Sequence, residues 1–407
     1  MERLSLIIPT HDRIGVLHYN LRELCHQSLS TDLWDVVVIN DGGQGFSFKD
    51  EFPYKLKIIE QDNAGPATAR NRGVQEATGD ICVFAGDDTV ANKHMLFYHY
   101  YRHSIRQGEF AIQGYTQWHP SVQDEFATFL TESSGLQANW HALKKEDGSW
   151  VDRNTNIPGW FLTTNCSITR SLFERIGGFN QRFPHAVWED ICTAITITKL
   201  GYQVFFEPNS LNSHLHKQTL DGFVKRQIME GQSRLHLCSE HPEMAQNLLP
   251  SQTIRDTNAE MLARSLKRSK DLFYNMDESV REIKYKSWME TCQLAALEGI
   301  RIGIKKWGGV WRAIPHLHTS EQVMYIVQAA SSLEKGNNGF AIFSMEWVNK
   351  DTGGGNWAVN AAFAETLIAC GDFKQARFYA DKAMELGTGE AWPKELLERL
   401  NGQAQLS

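Results

Sequence analysis

Three short apolar runs, Leu4 to Pro9, Val36 to Asn40 and Ile81 to Ala85, with a weaker one from Leu56 to Ile59, alternate with stretches of helical spacing from Gly15 to His26 and from Pro66 to Ala77. Continuous apolar runs of this length read as strands buried on both faces. Strands that alternate with helices can bury both faces only in a mostly parallel sheet with helices packed on either side. Polar clusters follow the runs: Thr10-His11-Asp12-Arg13, then Asp41-Gly42-Gly43, then Asp87-Asp88. In open α/β sheets ligands bind outside the carboxyl ends of the strands. Three such ends predict a nucleotide crevice along one sheet edge.

The Asp87-Asp88 pair suits a hard cation such as Mg²⁺ or Mn²⁺ bridging a diphosphate. Read alone, such a pair is more often a turn or a helix cap. Gly43-Gln44-Gly45 lacks a third glycine and opens no helix, which excludes the dinucleotide fingerprint, and no P-loop lysine motif is present. The segment from Asn63 to Gly73 places a proline at a helix start and Arg70 in its first two turns. A cation there can reach a phosphate beside the helix N-terminus. The alternative is that Arg70 and Arg72 form an exposed helix face.

In this order the motifs resemble the family-2 glycosyltransferases, enzymes of the GT-A fold that use nucleotide-activated sugars. The resemblance runs from Leu4 to about His216. Its pieces are Ser5 to Thr10, Val38 to Gly42, Asn63-Ala64-Gly65 leading into Ala69 to Gly73, Gly79-Asp80, Asp87-Asp88, Thr164 to Ser167, Arg175 to Asn180, Trp188-Glu189-Asp190, and Lys199 to Tyr202 ahead of Pro208 and His214. It implies an α/β GT-A domain over residues 1–219, Rossmann-like and mostly parallel.

Residue by residue, the resemblance implies that Asp41, Thr10 and Arg13 line the nucleobase pocket. Arg70 and Asp87 complete the nucleotide-sugar contacts. Asp87, Asp88 and His214, with His216 as fallback, would hold Mn²⁺ or Mg²⁺. His214 and His216 also fit structural histidines on one face of an extended strand. Ala85 stands where the family usually carries the first acid of its metal motif, so this chain departs from the full pattern. Asp190 would be the base that takes a proton from an acceptor hydroxyl in an inverting transfer. Glu189 would orient it or hold the acceptor, and Trp188, Trp160 and Asn165 would contact the acceptor. Trp118, Trp140 and Trp150 add aromatic faces that suit a sugar ring or a core. Trp-Glu-Asp also reads as a helix start with acids favourable to its dipole.

The resemblance implies hexosyl or N-acetylhexosaminyl transfer from a nucleotide sugar, UDP-linked in the first instance, to a glycan or protein acceptor. The competing reading is a scaffold with a decayed transferase domain, which Ala85 favours. A sugar-nucleotide pyrophosphorylase would need a glycine- and lysine-rich N-terminal loop that is absent.

At 407 residues the chain exceeds one ordinary domain. A net charge of −7, from 41 basic and 48 acidic residues without a long basic stripe, argues against nucleic-acid binding. Seven scattered cysteines with no C-x-x-C pair read as reduced thiols. No apolar run approaches the roughly 20 residues of a membrane span, and Met1 leads almost directly into the first strand. These features predict a cytoplasmic protein, or one held at the inner face of the membrane through a partner.

After His216 the pattern turns helical. Residues 220–330 read as a helical domain with breaks at Ser239 to Pro242 and Leu249 to Ser251. Helical spacing covers Asn258 to Lys270, Glu278 to Ile302 and Ser320 to Lys335. Over 331–407, Gly336, Ala341 and Val348 recur 35 positions later as Gly371, Ala376 and Ala383. This period lies next to the tetratricopeptide repeat of about 34 residues, and Ala364 to Leu386 resembles the core of that repeat. Such helices suit a protein partner or self-association. Gly353-Gly354-Gly355 reads as a flexible loop between the two copies.

Overall fold

The structure, a computed structural model, describes residues 2–183, 185–273 and 277–403. The chain divides into two compact units, Met1–Leu220 and Asp221–Ser407.

The first unit runs β1 (Leu4–Thr10), α1 (Ile14–Leu24), β2 (Trp34–Asp41), β3 (Lys55–Gln61), α2 (Pro66–Glu76), β4 (Ile81–Ala85), β5 (Thr89–Ala91), α3 (Met95–Ser104), β6 (Phe110–Trp118), α4 (Glu125–Thr128), β7 (Asn165–Thr169), α5 (Arg170–Arg175), α6 (Glu189–Lys199) and β8 (Gln203–His214). The strands form one sheet in the order β3-β2-β1-β4-β7-β6-β8-β5. β1 pairs in parallel with β2 and β4, and β2 with β3. β7 is antiparallel to both β4 and β6, while β8 runs parallel to β6.

The apolar runs explain the centre of this sheet. β2 and β4 are buried along their full length, and β1 nearly so, because helices cover both faces. One face packs Leu6 and Ile8 with Leu17, Leu21 and Trp34. The other gathers Phe84, Phe161, Phe173 and Phe179. α2 lies so close to the sheet that a Cβ on Gly73 would run into the Ile7 side chain. The register sets Thr10 beside Asn40, and Asp41 beside Gln61, so the carboxyl ends of β1, β2 and β3 share one edge. β8 was the less legible partner. It is 12 residues long and reaches the same region from the other half of the sheet, where Thr89 of β5 pairs with His214.

The second unit is all helical: α7 (Leu220–Glu240), α8 (Ala245–Leu248), α9 (Ser251–Asp256), α10 (Ala259–Phe273), α11 (Arg281–Trp307), α12 (Ser320–Glu334), α13 (Asn338–Asp351), α14 (Trp357–Ala369), α15 (Phe373–Leu386) and α16 (Ala391–Gln403). Helix hairpins α12/α13 and α14/α15 carry the 35-residue recurrence. Gly336 and Gly371 make the turns at positive φ, Asn337 and Asp372 cap the following helices with their side chains, and Ala341 and Ala376 are fully buried. Small side chains at these points let the paired helices approach closely. One continuous core gathers residues from Leu235 to Leu400. The boundary expected between residues 330 and 331 therefore falls inside α12, with continuous packing on either side; residues 404–407 lie outside the described residues. Among the described residues no helix is long and apolar enough to cross a membrane. All seven cysteines are free thiols.

Candidate active site at the carboxyl ends of the strands

Asp87 and Asp88 follow β4 after Gly86, and the side chains around them come from two other strand ends. The Thr10 hydroxyl, at the end of β1, donates to Asp87 Oδ2 at 2.8 Å. Arg13 bridges the two acids, with Nη2 at 2.6 Å from Asp87 Oδ1 and Nη1 at 2.6 Å from Asp88 Oδ2. At the end of β8, His214 Nε2 stands 3.3 Å from Asp88 Oδ1. The β5–β8 pairing fixes this approach, because the Leu215 amide donates to the Asp88 carbonyl at 2.8 Å. Trp118 stacks on the His214 ring at 5.3 Å between centroids, and His216 lies 6.3 Å from it on the exposed side.

The two adjacent acids differ in their electrostatics. Burial pushes the Asp87 carboxyl up to about 6, outweighing the opposing pull of Arg13 and Thr10. Burial acts on Asp88 in the same direction, but the hydrogen bond and charge of His214, together with Arg13, hold its carboxyl below the usual carboxylate range.

Asp41 is placed at the second strand end, with its carboxylate turned onto the following loop. It accepts from the Gln61 amide at 2.8 Å and from the backbone amides of Ala64 at 2.8 Å and Gly65 at 2.9 Å. These bonds fasten the turn that launches α2. The same edge carries His11, whose Nδ1 is 2.7 Å from the Asp41 carbonyl oxygen, and Asp12, which adopts positive φ.

The second acidic pair opens α6. Trp188 precedes it at a φ of +74°, a left-handed conformation that is costly for a bulky residue. Glu189 is buried and its Oε1 accepts from Arg70 Nη1 at 2.7 Å. Asp190 is half-buried, and its Oδ1 accepts from the Ile191 amide at 2.8 Å. Arg70, expected near a phosphate or on an exposed face, instead spends this contact on Glu189.

Asn165 corrects the expectation of an acceptor contact. It is fully buried, its Nδ2 donates to the carbonyls of Tyr115 at 3.0 Å and Ser210 at 2.7 Å, and its Oδ1 is 2.9 Å from His99 Nε2. The chain continues from His99 Nδ1 to Ser167 and on to His103. A buried amide saturated in this way ties β6, β7, β8 and α3 together. Trp160 packs on Trp140 at 5.2 Å. Trp118 and Trp140, with Tyr115, Glu132, His141 and Lys144, line a cavity of about 160 Å³.

Sequence reading missed Asn71, whose side chain grips the Phe179 backbone from both sides. The signal was its place beside Arg70 in mid-helix, where asparagine is a poor helix former without another task.

Residues 5–107 match the family profile described as Glycosyl transferase family 2. The chain is 26% identical over 231 residues, 54% of its length and 52% of the relative's, to the "Probable glycosyltransferase YdaM" of Bacillus subtilis. It is 33% identical over 212 residues, 49% of its length and 50% of the relative's, to the "Uncharacterized glycosyltransferase YibD" of Escherichia coli. It thus spans about half the length of these curated relatives. Among solved structures, the mannosyltransferase PcManGT from Pyrobaculum calidifontis in complex with GDP-Man and Mn²⁺ superposes at a TM-score of 0.42, with 16% identity and 84% of each chain covered. Over residues 5–107 the chain thus matches the family-2 glycosyltransferases in sequence.

Proposed function

We propose that the protein is a metal-dependent inverting glycosyltransferase that moves a sugar from a nucleotide-sugar donor, a UDP-sugar in the first instance, to a hydroxyl of a glycan or protein acceptor. The observation that carries this reading is the meeting of Thr10, Arg13, Asp87, Asp88 and His214 at one sheet edge from three separate stretches of chain. Nucleotide crevices of open α/β sheets lie at such edges.

A divalent cation fits this donor set. Carboxylate oxygen and imidazole nitrogen suit Mn²⁺, and Mg²⁺ is also held by one or two carboxylates with phosphate and water completing its shell. Asp88 Oδ1 and His214 Nε2, 3.3 Å apart, would be the two groups of this set to share a cation. Among the described residues no group of three or more His, Cys, Asp or Glu side chains is placed to hold a metal ion, so the reading rests on the adjacent carboxylates and the imidazole beside them. In this reading Asp87, Asp88 and His214 hold the cation, and His216 stands by as an alternative. The bound cation supplies positive charge against the leaving diphosphate. Asp190, at the rigid start of α6, takes the proton of the attacking hydroxyl. Trp188 offers its ring to the acceptor, and Thr10, Arg13 and Asp41 border the nucleotide. The paired helices of the second unit act as a tetratricopeptide-like surface for a protein partner, a protein acceptor or a second copy of the chain.

Ala85, buried at the place of the first acid, favours the second reading of a non-catalytic scaffold. One experiment separates the two. The full chain is screened by thermal shift against UDP- and GDP-sugars with and without Mn²⁺, and the stabilising donors are followed for nucleotide release. A bound donor raises Tm in proportion to its affinity. Mn²⁺-dependent stabilisation with nucleotide release is the expected result, and no release with any donor leaves the scaffold.

A further inference from the structure

Arg70 sits in the first two turns of α2, where a cation could serve a phosphate, yet its guanidinium is committed to another element. Nη1 donates to Glu189 Oε1 at 2.7 Å across 119 positions of sequence, with the two side chains only 9% and 2% exposed. The guanidinium carbon lies 5.6 Å from the centre of the Phe179 ring. The next residue, Asn71, donates from Nδ2 to the Phe179 carbonyl at 2.8 Å and accepts the Phe179 amide on Oδ1 at 2.9 Å. The approach is close enough that a Cβ on Gly178 would stand 2.7 Å from Asn71 Oδ1. Two consecutive residues of α2 thus hold both ends of the segment that runs from Phe179 to Glu189.

That segment ends in a residue that needs holding. Trp188 is left-handed, and a non-glycine residue keeps such a conformation only where its surroundings over-determine it. Glu189 is the next residue and Asp190 the one after. Arg70 Nε and Glu189 Oε2 make no hydrogen bond of their own, so the link rests on one hydrogen bond rather than a bidentate fork. A buried ion pair is a weak source of stability compared with an apolar replacement. Its geometric effect here is to fix the first turn of α6.

We infer that Arg70 is a positioning residue that acts through Glu189, setting the start of α6 and with it the Asp190 carboxylate, and that it is not a ligand of the donor diphosphate. This rests on the reading of Asp190 as the base. Misplacing a catalytic group by about 1 Å can cost about 10²-fold in rate, so the pair has leverage on turnover without touching the donor.

The test uses the full chain and the variants R70Q, R70K, E189Q and R70Q/E189Q. Nucleotide binding is read as the Tm shift produced by UDP or GDP with Mn²⁺, whichever shifts the unmodified chain more. Turnover is read as kcat and KM for the donor found in the screen. The expected result is a fall in kcat of about 10²-fold in R70Q with its nucleotide shift and donor KM unchanged. R70K should recover part of the loss, and the double variant should be no slower than the slower single, because coupled residues are non-additive. Loss of the nucleotide shift in R70Q, or effects of R70Q and E189Q that multiply, would overturn the inference. If R70Q fails to fold by circular dichroism, R70K carries the same comparison: a lowered kcat with an intact shift supports the inference, and a weakened shift overturns it. An unmodified chain that neither binds nor releases a nucleoside diphosphate sinks the parent reading and this inference together.

Discussion

His214 faces Asp88 across 3.3 Å although 126 positions of sequence separate them, because β5 and β8 pair at Thr89 and His214 directly beside the acid. Neither β5 alone nor the acidic pair alone would orient the imidazole. The contact gives the first prediction. His214→Ala should lower Mn²⁺-dependent donor turnover by at least about tenfold, on the scale of losing a metal-site partner. A Mn²⁺ titration of nucleotide release measures it, and an unchanged half-saturation concentration would exclude His214 from the shell.

Asp190→Asn removes the proposed base while keeping size and polarity. Turnover should fall by about 10²- to 10⁴-fold, the range of general base catalysis, with the nucleotide-induced Tm shift retained. Parallel loss of the shift would instead indicate that Asp190 supports the fold of α6.

The buried histidines make the stability of the first unit depend on pH. Burial lowers His99 to about 4, against its hydrogen bond to Asn165, and lowers His103 to about 3, with His99 and Arg102 adding to the effect. Both values lie below the 6.5 of a free imidazole, so between pH 6.5 and about 4 the unfolded chain binds more protons than the folded one. Stability should therefore fall with pH across this window, by on the order of 3 kcal/mol from His99 alone. Urea unfolding at a series of pH values measures the slope. His99→Gln, which has no proton to gain, should flatten it, and an undiminished slope would assign it to other groups.

Gly231 of α7 and Gly299 of α11 meet so closely that a Cβ on the first would run into the Ala296 carbonyl oxygen, and one on the second into that of Ile228. Helix backbones at this distance tolerate no side chain. Gly231→Ala or Gly299→Ala should destabilise the helical unit by on the order of 3 kcal/mol, at the upper end of overpacking costs. Denaturant unfolding followed by the helical circular dichroism signal tests this, and a loss below about 0.5 kcal/mol would mean that the helices slide apart freely.

The legible parts of the molecule were those in which local pattern and tertiary demand coincide. β1, β2 and β4 could be read because strands buried on both faces need unbroken apolar runs. Pro66 marked the start of α2, and the Gly336 and Gly371 turns marked the hairpins, because these residues have few other backbone uses. Asn165 misled because its motif says where it lies along the chain and nothing about which way its amide points. Arg70 misled in the same manner: a helix N-terminus suits a phosphate and an ion pair equally well. The expected boundary at 330/331 followed a change in repeat pattern, whereas packing continues through α12.

The order of strands, helices and acidic motifs was settled by the amino acids themselves, since periodicity, turn chemistry and charge act over a few residues at a time. Tertiary structure alone decided that Arg13 bridges Asp87 and Asp88, that His214 reaches Asp88, and that Arg70 answers Glu189 instead of an anion. Those outcomes depend on strand register and helix approach, which arise from the packing of segments more than 70 residues apart and leave no local mark.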